Sequence, residues 1–93
     1  MTAPERRESI IRLAGEYDLA RKAEVAAQFG ALDSSPVCID FSEVTYIDST
    51  ILRELAELRL RDEQRPITFI GVNSHIRHIF DVVKFDELFD ITD

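Results

Sequence analysis

The chain has no tryptophan, one cysteine, three glycines and three prolines in 93 residues. One cysteine excludes an internal disulfide. Cys38 sits in the apolar run Val37-Cys38-Ile39 and reads as a small core residue rather than a reactive thiol. With so little glycine there is no glycine-rich phosphate loop. Basic residues are also scarce, 11 against 18 acidic ones, for a net charge of -7. Nucleic-acid binding rests on Lys and Arg neutralising phosphates, so the composition argues against it. The acidity suits a soluble domain, or one that meets a basic partner surface. No apolar run approaches the roughly 18 residues of a membrane span. The start Met1-Thr2-Ala3-Pro4-Glu5-Arg6-Arg7 has no apolar signal region behind its basic residues. No membrane insertion is expected, and a cytoplasmic location follows.

What is present is the mixture of a folded globular protein: 45% hydrophobic and 31% charged residues. The length predicts a single domain over residues 1–93. A chain of this size buries roughly 60–65% of its unfolded surface, enough for one modest core.

Ser9 to Ala14 predicts a strand, with Ile11 and Leu13 alternating with Arg12, and Gly15-Glu16-Tyr17-Asp18 breaks it. Asp18 is a candidate cap for a helix from about Leu19 to Phe29. Leu19, Ala23, Ala26, Ala27 and Phe29 supply its apolar face, and Gly30 stops it. Asp33-Ser34-Ser35-Pro36 is a turn. Val37-Cys38-Ile39 predicts a strand covered on both faces. The segment Asp40-Phe41-Ser42-Glu43-Val44-Thr45-Tyr46-Ile47 then reads as a turn and a second short apolar run. A helix follows from Ser49 to about Glu63. Its apolar side is Ile51, Leu52, Leu55, Ala56, Leu58 and Leu60; Arg53, Glu54, Glu57, Arg59 and Arg61 face water. Gln64-Arg65-Pro66 ends it. Ile67 to Ile70 is another strand, closed by Gly71. Asn73 or Ser74 caps a third helix, with Ile76, Ile79, Phe80 and Val83 on one stripe. Phe85, Leu88, Phe89 and Ile91 form a short strand or turn. The alternation of strand and helix implies an α/β domain with largely parallel neighbours.

Three pieces, Gly15-Glu16-Tyr17-Asp18, Asp40-Phe41-Ser42-Glu43-Val44-Thr45-Tyr46-Ile47-Asp48-Ser49-Thr50 and Ile79-Phe80-Asp81, together resemble the STAS domain, the sulfate-transporter and anti-sigma-factor-antagonist family. The resemblance runs from Ile10 to about Phe89, and its middle piece is the specific one. It implies a small sandwich: a mixed, mostly parallel sheet of about four strands with helices packed mainly on one face. It also implies a binding module rather than an enzyme, of the stand-alone anti-sigma factor antagonist type. The implied partners are an anti-sigma factor that is also a serine kinase of the histidine-kinase-like ATPase type, and a serine phosphatase. No cofactor is implied. The implied phosphoacceptor is Ser49, with Thr50 as the lesser alternative; Asp18, Asp48, Ser49, Thr50, Ile51 and Arg53 are the implied partner-binding residues.

The chain departs from the family pattern at three places. Ile51 stands where the family usually has glycine, adding a branched side chain where a partner approaches. Few residues precede the Ile10 strand, so the family's opening strand is expected to be stunted or absent, leaving an edge open to pairing with a second copy. Lys84 stands where the family often has glycine.

From the residues alone, Ser49 is either a simple helix cap or a hydroxyl placed where a phosphoryl group is well received. A second binding reading is a STAS subunit on an ABC-transporter ATPase, or a signalling scaffold, without phosphorylation. A reading of another class is a Mg²⁺-dependent phosphoacceptor or phosphotransferase, with Asp18, Asp40 and Asp48 gathered at strand ends. It lacks the paired acidic residues and the lysine that a receiver requires. His75 and His78 have metal-ligand spacing on a helix but no third ligand, and read as a solvated face.

Overall fold

The computed structural model describes residues 8–33 and 35–92. Four strands, β1 (Ser9–Tyr17), β2 (Val37–Ile47), β3 (Ile67–Ile70) and β4 (Asp90–Ile91), form one sheet in chain order, and each neighbouring pair is parallel. Three α-helices, α1 (Lys22–Gly30), α2 (Ser49–Arg61) and α3 (Ser74–Val82), connect them. Two short 3₁₀ turns, Leu19–Arg21 and Phe85–Glu87, precede α1 and follow α3. Parallel neighbours need crossover connections, and the helices supply them.

The pleat divides the sheet into a covered and an open face. Ile11, Leu13, Val37, Ile39, Phe41, Ile67 and Phe69 are buried in one cluster with Val25 and Phe29 of α1, Ile51, Leu55 and Leu58 of α2, and Ile76 and Phe80 of α3. All three helices therefore pack on one face. Phe41, Phe69 and Phe80 form its aromatic centre, with ring centroids 5.0, 5.5 and 5.2 Å apart. Tilted and edge-on pairs at this range add roughly 0.5–1.5 kcal/mol beyond their buried area. On the other face Ile10, Arg12 and Ser42 are exposed, Asp40, Thr68 and Ile70 half-buried, and Cys38 is buried. Cys38 is therefore an enclosed side chain of the sheet, and burial pushes its thiol pKa up.

Several boundaries differ from those the sequence predicts. β1 does not break at Gly15 but continues to Tyr17. Its register shifts after Arg12 and after Gly15, and Gly15 takes φ +84°. The glycine makes an irregularity within the strand rather than its end. β2 is one strand of 11 residues with no turn in it. Its first half pairs with both β1 and β3, and its second half with β1 alone, so that half projects beyond β3. In the first helix Val25 and Phe29, four residues apart, are the buried pair, whereas Leu19 is 71% exposed. Gly30 remains helical and Ala31 caps the end. On α2, Leu60 is 69% exposed while Glu54 is 4% exposed, the reverse of the predicted faces. α2 ends at Arg61.

β1 and β4 are the two edge strands of the sheet among the described residues, and β1 is the longer one, the edge that the expected pairing with a second copy would use. The expectation of a stunted opening strand falls largely on residues 1–7, outside the described residues. Lys84 takes the left-handed conformation, φ 63° and ψ 32°, just after α3. That backbone geometry favours glycine, the residue the resemblance leads one to expect at this place.

Candidate functional site

The paired extension of β1 and β2 builds the site. Tyr17 pairs with Ile47 at the last rung, so Asp18 and Asp48 leave the sheet side by side, roughly one strand spacing of about 5 Å apart. Both then turn into helical structure by the same device. The Asp18 carboxylate accepts a hydrogen bond from the Ala20 N–H at 2.9 Å, and Asp48 accepts from the Thr50 N–H at 2.8 Å. Aspartate is among the preferred residues for satisfying these first, otherwise unpaired donors. Asp48, not Ser49, is thus the cap of α2. Ser49 is the first helical residue; its side chain is exposed and its hydroxyl makes no hydrogen bond. Thr50 is half-buried beside it.

The corner at the end of β1 is held by its own side chains. The Ala14 N–H donates to the Tyr17 hydroxyl at 3.0 Å. The Arg21 guanidinium lies 3.9 Å from the Tyr17 ring centroid and pairs with Glu24, and its Nη1 donates to the Ala14 carbonyl. The hydrogen bond to Glu24 keeps the Arg21 pKa above its usual value. Asp18 and Arg21 face Thr50 and Ile51 across a cleft too narrow for a water molecule. Glu54 lines this cleft one turn further along α2. It forms no hydrogen bond or ion pair despite its burial.

Of the residues the sequence marks as a partner surface, Asp18, Asp48, Ser49 and Thr50 share this end of the molecule. Arg53 lies one turn along α2, largely exposed, with only a long 3.9 Å contact to Glu57. Ile51 does not belong to the surface. At 2% exposure it packs into the core against the sheet, so its side chain does not stand where a partner would approach. Its position on the apolar side of α2 turns it inward, away from the approach that a glycine would leave open. Two exposed apolar residues at the same end were missed, Leu19 at 71% and Tyr46 at 47% exposure. The sequence places Leu19 on the apolar stripe of a helix and Tyr46 in an apolar run with no defined face. Beyond Phe41 the buried residues of β2 are Val44 and Ile47, because each register shift against β1 adds a residue on β2, and Tyr46 falls between them facing out.

The three aspartates of the metal reading do not converge. Asp40 lies within β2 on the open face, eight residues before Asp48, roughly 26 Å along an extended strand. Its carboxylate accepts from the Ser42 N–H at 2.8 Å instead. Among the described residues no group of three or more His, Cys, Asp or Glu is arranged to hold a metal ion. His75 is exposed at the start of α3 and His78 one turn later. Among the described residues no helix is long and apolar enough to cross a membrane.

A four-stranded parallel sheet with helices on one face and an aspartate-capped serine at the start of α2 is the arrangement expected of a STAS domain. The family model described as "Mlab, STAS domain" (STAS_2) matches residues 1–91, and the chain belongs to this family. No curated protein matches it in sequence. Among solved structures it is similar to a sulfate transporter family protein from Wolinella succinogenes: 16% identity and TM-score 0.73, over 94% of this chain and 74% of that one. It is similar to the anti-sigma factor antagonist SpoIIAA in its unphosphorylated form: 20% identity and TM-score 0.68, over 99% of this chain and 84% of that one. It is also similar to the SulP transporter STAS domain from Vibrio cholerae: 15% identity and TM-score 0.67, over 97% of this chain and 75% of that one. At these identities the likeness is one of fold.

Proposed function

We propose that this domain is a cytoplasmic, phospho-switched protein-binding module of the anti-sigma factor antagonist kind, and that it catalyses no reaction itself. In this reading it binds an anti-sigma factor that is also a serine kinase of the histidine-kinase-like ATPase type, and so releases a sigma factor. The kinase transfers phosphate to Ser49, with Thr50 as the lesser acceptor, and a serine phosphatase reverses the transfer. The observation that carries the reading is the Ser49 hydroxyl. It is exposed, makes no hydrogen bond, and is free of the capping role, which Asp48 fills. The likeness to SpoIIAA supports the same role.

The electrostatics favour a switch that acts on the partner rather than on the fold. A phosphoryl group adds about -1.5 to -2 charge at neutral pH. The N-terminus of α2 would favour it by roughly 0.3–1 kcal/mol, and the neighbouring Asp48 and Asp18 would oppose it. The two effects nearly offset within the domain. Against an apolar or acidic partner surface the added charge would lose hydration without compensation, at a cost of several kcal/mol. The proposed surface is Asp18, Asp48, Ser49, Thr50 and Arg53, with Leu19 and Tyr46 as apolar anchors.

A second reading, a STAS subunit on a transporter ATPase that works without phosphorylation, draws support from the two transporter-linked structures of similar fold. One experiment separates the two. Candidate ATPases of the anti-sigma kinase and transporter types are purified, and the affinity of each for wild type and Ser49→Asp is measured by calorimetry. The first reading expects one of them to phosphorylate Ser49 from ATP, and Ser49→Asp to bind it at least about tenfold more weakly while remaining folded. Equal affinity of the two folded proteins, with no phosphate transferred, would reject the switch and leave the second reading.

A further inference from the structure

β2 outruns its neighbour β3. Pairing between the two stops at Asp40 and Ile70, whereas β1 follows β2 to Ile47. Past Ile70 the chain turns away at Gly71, packed against Ser42, and enters α3 at Ser74. The stretch from Glu43 to Ile47 therefore has β1 on one side and, among the described residues, no strand on the other. It leads directly into Asp48 and Ser49.

The pairing lower in the sheet gives the direction of its backbone groups. The Val37 N–H donates to the Pro66 carbonyl, on the β3 side, and the Val37 side chain is buried on the covered face. For a strand of given direction, the face a side chain takes fixes the edge to which that residue's N–H and C=O point. Beyond Phe41 the covered-face residues are Val44 and Ile47, so their backbone groups point to the β3 side as well. There they meet no backbone or side-chain partner among the described residues. The opening starts only after Ser42, whose N–H donates to the Asp40 carboxylate. Unpaired strand groups of this kind are a template for a further strand.

The projecting ribbon is also of one sign. Residues 13–18 and 41–48 hold Glu16, Asp18, Glu43 and Asp48 and no lysine or arginine. Glu16 and Glu43 are exposed and form no ion pair. Arg21, the cation at the corner, is already held by Glu24 and the Ala14 carbonyl. We propose that the free edge of β2 from Glu43 to Ile47 is a strand-addition site, which takes an extended, basic segment of the protein partner. Backbone hydrogen bonds to Val44 and Ile47 hold the segment, and its lysine or arginine side chains meet Glu43 first and Glu16 beyond it. This rests on reading this end of the domain as a partner surface, but not on phosphate transfer to Ser49.

The test is an NMR titration of the ¹⁵N-labelled full chain, with no kinase present, so that its failure is distinct from failure of the phospho-switch. The probe is a six-residue peptide of alternating lysine and valine, capped at both ends. The expected result is a saturable shift of residues 43–47, with the Val44 and Ile47 amides exchanging about tenfold more slowly near saturation. Glu43→Lys, at an exposed position, should weaken binding about threefold or more. The same peptide methylated on every backbone nitrogen keeps its charge but loses its donors, and should not bind. Shifts that never saturate would overturn the proposal. So would equal binding of the methylated peptide, which would reduce the contact to charge alone. Unchanged affinity in Glu43→Lys, or shifts confined to the outer edge of β1 at Ile10 to Arg12, would overturn it as well.

Discussion

The Asp48 carboxylate accepts a hydrogen bond from the Thr50 N–H at 2.8 Å, and this contact takes the capping role from the serine between them. The two residues should therefore separate cleanly in stability. Asp48→Ala removes the cap and should cost about 1 kcal/mol, within the usual 0.5–2. Ser49→Ala removes an exposed hydroxyl without a partner and should change stability by less than about 0.5 kcal/mol. Urea unfolding curves of both variants measure this. Equal losses would mean that Ser49 shares the cap after all.

Phe80 and Leu60 test which apolar residues hold the fold. Phe80 is fully buried, with the rings of Phe41, Phe69 and Phe85 at 5.5, 5.2 and 5.7 Å. Phe80→Ala should cost about 3–5 kcal/mol, a large part of the stability of so small a domain. Leu60 is 69% exposed, and Leu60→Ala should fall within about 0.5 kcal/mol of wild type. Thermal melts of the pair are sufficient, since the first should shift the midpoint by many degrees or abolish the transition.

Backbone conformation predicts opposite signs for two further substitutions. Lys84 holds φ 63°, which strains any residue with a Cβ, so Lys84→Gly should stabilise by roughly 0.5–1 kcal/mol. Gly71 holds φ +68°, and a Cβ there would stand 2.8 Å from the Ser42 Cβ and 2.9 Å from the Ser42 backbone N. Gly71→Ala should therefore destabilise by more than about 1 kcal/mol. Denaturation midpoints of the two variants should move apart on either side of wild type.

Acid should weaken the domain partly through Asp40. The Ser42 backbone N–H, then the Ser42 hydroxyl, and more weakly Arg12, hold the Asp40 carboxyl below its ordinary value of 3.8. A carboxyl depressed in the folded state contributes stability that is fully present above the unfolded value. That contribution is lost as pH falls through the lower, folded value. The loss should therefore fall below about pH 4. Asp40→Asn keeps an acceptor for the Ser42 N–H but removes the titration. Its stability, followed by denaturation from neutral pH downward, should show a shallower acid limb than wild type. An identical limb would remove Asp40 from the acid response. Asp33, depressed through Ser35, contributes in the same direction from an exposed position.

The composition, the order of elements and the aspartates at two helix starts were legible in the chain itself. They depend on local preferences: short apolar runs for strands, side-chain oxygens that satisfy free N–H groups, and glycine or proline where a period ends. The parallel order of the sheet follows from strands separated by helices long enough to cross over. What remained open was decided by contacts between distant segments. β2 runs unbroken through Ser42 and Glu43 because β1 pairs with it as far as Ile47. Glu54 is buried and Leu60 exposed because α2 turns one stripe toward the sheet, and both kinds of residue are abundant along it. Ile51 points inward and Tyr46 outward for the same reason: orientation belongs to the packing, not to the residue. The burial of Arg59 and Arg65 could not be read from the chain, where they stand among acidic neighbours. Only the tertiary structure folds Arg59 back onto the carbonyls at the end of α2 and encloses three nitrogens of the pair without a hydrogen-bond acceptor.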